Sequence, residues 1–230
     1  MSEALHSGHR QRLRERFLRD GMDSLEDHTV LELLLCYAIP RKDVNDLAHR
    51  LLQRFGSLSA VLDADQAALE QVPGLGANAA ALLRIIPAMS RRYLIDRAGK
   101  GKKPSLRDTA QAGEFFLPYF YGAREEKVYA AFLDDNCRLL ECREMFGGGI
   151  GYAPMNVRKL VEAALRLRAS NVILAHNHPD GYAMPSREDR ESTEIVSRAL
   201  EAVQLHLLDH IIIAEDEYVS MEECGYFCRE

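Results

Sequence analysis

The sequence predicts an α/β domain built on a curved mixed sheet with flanking helices, preceded by a small all-α domain. After residue 104, short β-branched or apolar runs at 127–133, 139–146, 171–175, 205–213 and 218–220 accompany helical patterns at 156–168 and 187–203. Before residue 103 the leucines recur at helical spacing instead. Between the two regions, Arg97-Ala-Gly-Lys-Gly-Lys-Lys-Pro-Ser-Leu106 gathers the residues of a linker, which sets the domains at 1–103 and 104–230.

In chain order, the basic run from His9 to Arg19 reads as a helix with a solvated face. Thr29 to Tyr37, with Leu31, Leu33, Leu34 and Leu35, is a second helix. Val44, Leu47, Ala48, Leu51 and Leu52 mark a third, stopped at Phe55-Gly56-Ser57. Ser59–Asp63 and Asp65–Gln71 are short helices. The segment Val72-Pro-Gly-Leu-Gly-Ala-Asn78 then resembles the hairpin of a helix-hairpin-helix module. In that reading Gly74, Leu75 and Gly76 present backbone N–H groups to a phosphate beside a helix N-terminus, binding DNA weakly and without reading its sequence. No cation follows in the chain until Arg84, so the charge that dominates DNA affinity is not local. The alternative is a tight turn that only packs two helices.

The chain of 230 residues carries 29 Lys and Arg against 35 Asp and Glu, a net charge of −6. Residues 1–103 hold 16 basic and 13 acidic side chains, net +3, which leaves −9 on residues 104–230. An acidic domain disfavours nucleic acid as its direct substrate, because phosphates are repelled from an acidic cleft. No apolar run approaches the length of a membrane span and the N-terminus lacks a signal-peptide hydrophobic region, so a cytoplasmic protein with no membrane partner is expected. The five cysteines are odd in number and scattered, which argues against a disulfide framework. Cys224 and Cys228 lack the second pair that a thiolate metal site needs and read as free thiols.

The chemistry is concentrated between His176 and Asp189, in His-Asn-His-Pro-Asp-Gly-Tyr-Ala-Met-Pro-Ser-Arg-Glu-Asp. Asn171 to Ala175 is a buried strand, and side chains two apart on a strand share a face, so His176 and His178 converge. Pro179-Asp180-Gly181 turns the chain, and Ser186 is the N-cap of a helix whose third residue is Asp189. Two imidazoles and one carboxylate, with a fourth position left to water, make the ligand count of a catalytic zinc. The competing reading is a simple capping pair, Ser186 with Asp189, beside an incidental pair of histidines.

The pattern His-x-His-Pro-x-Gly-x(3)-Pro-Ser-x-x-Asp resembles the signature of the JAMM/MPN metalloproteases, and Asn177 makes it similar to the RadC family. Phe132-Leu-Asp134, Leu208-Asp-His-Ile-Ile212 and Gly56-Ser-Leu58 extend the likeness over most of the chain. The resemblance implies a JAMM/MPN-like, cytidine-deaminase-like fold, Zn2+ on His176, His178 and Asp189, and Ser186 as a stabiliser of the oxyanion. The sequence departs from the usual pattern at Asp180, where Ser is common, and in the glycine-rich connection from Phe146 to Arg158, which reads as a mobile loop or a bed for an extended substrate.

Such a site needs a carboxylate base to take a proton from water and deliver it to the leaving amine. The resemblance places it at the start of the first core strand, which selects Glu126. Glu125, one residue away, faces the opposite side of a strand, and Glu144 on the next strand is a rival. Two functions follow. The first is a zinc-dependent peptidase or isopeptidase acting on a peptide or protein substrate. The second is a DNA-binding, DNA-repair-associated protein whose metal site is structural, vestigial or nucleolytic.

Overall fold

The structure, a computed structural model, describes residues 8–99, 103–147, 157–179 and 181–227. Chain packing divides it into two compact units, one up to Ser90 and one from Arg91. Among the described residues no helix is long and apolar enough to cross a membrane.

The first unit is helical: α1 (His9–Asp20), α2 (Asp27–Ala38), α3 (Asn45–Phe55), α4 (Leu58–Asp63), α5 (Gln66–Glu70) and the beginning of α6 (Ala77–Gly99). The periodic leucines do what their spacing requires. Leu31, Leu35, Leu51, Leu69 and Leu83 are fully buried in one cluster. Gly56 ends α3 at φ 94°, a left-handed conformation natural to glycine, and Ser57 caps α4 by accepting a hydrogen bond from the Ala60 amide. The basic helix α1 keeps the solvated face its composition suggests and is anchored at its start. Leu13 is buried, His9 lies 2.7 Å from the buried Glu32, and the Arg10 guanidinium donates to the Cys36, Ile39 and Lys42 carbonyls around the end of α2. A cation at a helix C-terminus meets the negative end of the dipole, so Arg10 ties α1 to α2.

The second unit carries β1 (Lys127–Leu133), β2 (Leu139–Gly147), β3 (Asn171–Asn177), β4 (His206–Ala214) and β5 (Glu217–Ser220), in the spatial order β2-β1-β3-β4-β5. The sheet is mixed. Only the β3–β4 pair is parallel, and its connection is α9 (Arg187–Glu201), the crossover that a parallel pair demands. With α8 (Val157–Leu167), α9 covers one face, burying Ala130, Phe132, Val172, Leu174 and Ile212. Every residue of β3 is buried, as expected of a strand covered on both sides.

The opposite face is covered by α7 (Thr109–Phe120), an element that the sequence reading did not anticipate. Asp108 caps it, accepting from the Gln111 amide at 2.8 Å, and Phe115, Phe116 and Phe120 pack on Ala131, Leu133, Ile173 and Ile211. Gly113 lets the Tyr218 ring approach the helix backbone; a Cβ there would lie 2.3 Å from it. The segment read as a linker is also more structured than its composition implies. It is helical to Gly99, and beyond it the Pro104 carbonyl accepts from Leu139 and the Leu106 amide donates to Cys137.

Candidate metal centre

His176 is the sixth residue of β3 and His178 follows the strand end, held by its amide on the Ile213 carbonyl at 2.8 Å. The chain turns back with the Gly181 amide on the His178 carbonyl and starts α9 at Ser186. There the capping box is complete: the Ser186 hydroxyl accepts from the Asp189 amide, and Asp189 Oδ2 accepts from the Ser186 amide at 2.7 Å. Capping and metal ligation are therefore not rivals. Oδ2 serves the cap, while Oδ1 lies 3.1 Å from His176 Nε2.

The three side chains close a small triangle. His176 Nε2 and His178 Nε2 are 3.0 Å apart, and His178 Nε2 is 3.4 Å from Asp189 Oδ2. Ligands on zinc bonds of about 2.0–2.1 Å stand roughly 3.3–3.4 Å apart in a tetrahedron; the two histidines meet different oxygens of Asp189, and one ligand atom from each residue gives a set within 4.8 Å, near enough to close on a single ion. Of the described residues, this trio forms a group able to hold a metal ion.

The outer nitrogens decide what the inner ones can be. His178 Nδ1 lies 3.0 Å from the Tyr182 carbonyl, which can only accept, so in the neutral ring the proton sits on Nδ1 and Nε2 carries the lone pair. Burial holds His176 well below the ordinary imidazole range, with His210 and His178 adding to the effect, so it is neutral. Its Nδ1 meets His210 Nε2 at 2.8 Å. Burial likewise pushes His210 down to about 3. For Asp189, burial pushes the carboxyl up, the Ser186 amide opposes this, and the charge of Glu126 adds to it. Electron pairs from two imidazoles and a carboxylate thus point at one buried spot, an arrangement that repels itself until a cation enters.

The strand register distributes the candidate bases. Val128 pairs with His176, so the register carried one pleat beyond the start of β1 brings Glu126 level with His178; Glu126 is exposed, and its charge is felt at Asp189. The Glu125 carbonyl accepts from Asn177 Nδ2. Glu144 pairs with Tyr129, whose hydroxyl donates to it at 2.7 Å, and it also meets Lys127 Nζ at 3.4 Å, on the face away from the histidines. The Ser186 hydroxyl donates to Asp189 Oδ2 at 2.6 Å and would have to rotate away to meet an oxyanion. Tyr182 and Met184, between the ligands in the chain, are exposed. Asp180, Cys228 and residues 148–156 of the glycine-rich connection lie outside the described residues, while Cys224 is an exposed free thiol.

The glycine turn of the first unit is also formed. Gly74 adopts φ 95°, Gly76 an ordinary conformation, and Leu75 is buried in the core. Folding brings to it cations that are distant in sequence: Lys42 lines the same depression as Gly74 and Gly76, and Arg50 donates to the Pro73 carbonyl at 3.2 Å. Sequence reading missed this, as it missed His210 and Thr193 behind His176. His210 stands in the apolar run of β4, within the landmark Leu208-Asp-His-Ile-Ile212, but no local pattern gives it a role at the site.

The geometry agrees with what comparison with known families finds. Residues 6–81 match the family described as UPF0758 N-terminal, and residues 106–226 match the RadC-like JAB domain, a span that includes all three metal-ligand candidates, the register partner Glu126 and the capping serine. The chain belongs to the RadC family.

Proposed function

We propose that the protein is a zinc-dependent hydrolase of peptide or isopeptide bonds, with the activity in residues 104–230. The observation that carries this reading is the convergence of His176, His178 and Asp189 as one set of candidate metal ligands, close enough to the exposed Glu126 for its charge to act on Asp189. A zinc ion held by His176, His178 and Asp189 would supply Lewis acidity toward a carbonyl and acidify a water molecule. Glu126 takes the proton of the attacking water as the C–O bond forms and gives it to the leaving nitrogen as the tetrahedral intermediate collapses and the C–N bond breaks. Ser186, once its hydroxyl turns from Asp189, donates to the oxyanion. The exposed Tyr182 offers the substrate an aromatic contact beside His178.

The test is elemental analysis of the full chain, followed by profiling on mixed peptide and lysine-isopeptide libraries. One zinc per chain with chelator-sensitive cleavage is expected. Cleavage unaffected by Glu126→Gln, or a chain that takes up no zinc, overturns the reading.

A second reading concerns the first unit. Lys42 and Arg50 beside the Gly74 turn favour weak, sequence-independent contact with a DNA backbone by residues 1–103, separable from hydrolysis.

A further inference from the structure

Behind His176 runs a chain of hydrogen bonds whose direction can be read from its far end. Thr193, on α9, is fully buried, and its hydroxyl lies 2.6 Å from the Asp189 carbonyl. A carbonyl only accepts, so the hydroxyl proton is spent there. The same oxygen lies 2.6 Å from His210 Nδ1 and must therefore accept, which puts the His210 proton on Nδ1. His210 Nε2 is then a lone pair, and at 2.8 Å it can only accept from His176 Nδ1. His176 is left with its own lone pair on Nε2, the atom that faces Asp189 and His178.

We propose that His210 and Thr193 are positioning residues for the metal site, fixing His176 as the Nδ1-protonated tautomer through a relay that ends on the main chain of Asp189. This rests on the ligand set of the preceding section and deepens it. The relay starts on a ligand supplied by β3 and ends on the residue that supplies the ligand from α9, so with a metal in place the two elements close a ring: His176, His210, Thr193, Asp189. Rotation of the His176 ring, or a shift of α9 along its axis, breaks one of the three bonds of the relay. Each is short and buried, so the set acts as a template that keeps the triangle at its spacing before any metal arrives.

The experiment uses the full chain. Zinc affinity is measured by competition with a chromophoric chelator for wild type, Thr193→Val, Thr193→Ser and His210→Leu, and melting temperatures are recorded alongside. Proton–nitrogen NMR correlations of the metal-free wild type report which nitrogen of His176 carries the proton. Thr193→Val, which keeps the shape and removes the hydroxyl, and His210→Leu should weaken zinc binding by about 10–100-fold, while Thr193→Ser restores it to within about threefold. The NMR spectrum should show His176 protonated on Nδ1. Wild-type affinity in Thr193→Val, or a His176 protonated on Nε2, overturns the relay. If wild type itself takes up no zinc, the metal reading falls, and the tautomer measurement still decides whether the relay exists.

Discussion

Two turns in this molecule deliver the chain to a helix N-terminus, and they are made of opposite materials. The turn before α6 is main chain: Gly74 takes the left-handed conformation, Leu75 goes into the core, and the first turn of the helix carries no acidic residue. The turn before α9 is side chain: His178 precedes it, Ser186 caps it, and Glu188 and Asp189 occupy the first helical turn. A helix N-terminus is positive. At α6 that potential stands uncancelled, with Lys42 and Arg50 reinforcing it, so the turn suits an anion. At α9 the acidic first turn reverses it, and the lone pairs of two histidines make the spot suitable only for a cation. The same local architecture can thus serve opposite ligands, and the side chains of the first turn decide which.

The largest effect that would break this contrast comes from a ligand. His178→Ala should lower zinc affinity by more than the roughly 100-fold that outer contacts command, measured by chelator competition; full zinc occupancy in this variant removes His178 from the site. Next is the base. Glu126→Gln should retain zinc and lose about 10²–10⁴-fold in peptide cleavage, whereas Glu144→Gln and Glu125→Gln stay within about threefold, because the register puts Glu144 on the face away from the histidines and Glu125 is one residue out of step with Glu126. A comparable loss in Glu144→Gln would contradict the pairing with Tyr129. The anion side of the contrast is sharpened by salt. DNA binding by the full chain, followed by fluorescence anisotropy, should weaken with a log-log slope of about −0.9 per phosphate neutralised, and Lys42→Ala should flatten the slope. DNA affinity indifferent to salt would dismiss the glycine turn as a phosphate contact. The smallest effect is on the turn itself. Gly74→Ala forces a Cβ into φ 95° and should cost roughly 1–2 kcal/mol in denaturant unfolding while leaving zinc affinity unchanged.

The two turns also differ in how far a reader of the bare sequence could see. The metal triangle was legible because its ligands lie within one strand end, one turn and one helix start, where two-residue and cap spacings fix direction. The spacing of Ser186 and Asp189 fits a cap or a ligand alike; the fold sets Asp189 Oδ2 on the cap and Oδ1 beside His176. Glu126 depends on the pairing of β1 with β3, a contact across some fifty residues whose register, carried one pleat beyond Val128, brings it level with His178. Lys42 and Arg50 beside Gly74, and His210 with Thr193 behind His176, are likewise products of tertiary packing without a local signature. Helix α7 escaped for another reason. Its Gly113 and Pro118 look like breakers and its aromatics cluster at one end, so the 3.6-residue rhythm is faint, yet the bare sheet face of Ala131, Ile173 and Ile211 recruits it.

The shared use of Asp189 makes the metal site and the birth of a helix a single event. Starting a helix is its improbable step, with a nucleation factor on the order of 10⁻³, since several residues must be fixed for one hydrogen bond. Asp189 Oδ2 gathers the Ser186 amide and hydroxyl at that first turn, while Oδ1 reaches across to His176 on the strand that precedes the helix. A metal drawn to the histidines would therefore also mark where α9 begins, and hence the register in which the crossover between β3 and β4 is wound. Lengthening the side chain by one methylene, as in Asp189→Glu, keeps the charge but cannot keep both appointments, so a bound ion would work as a ruler for the helix start as much as the helix start would present a ligand to the ion.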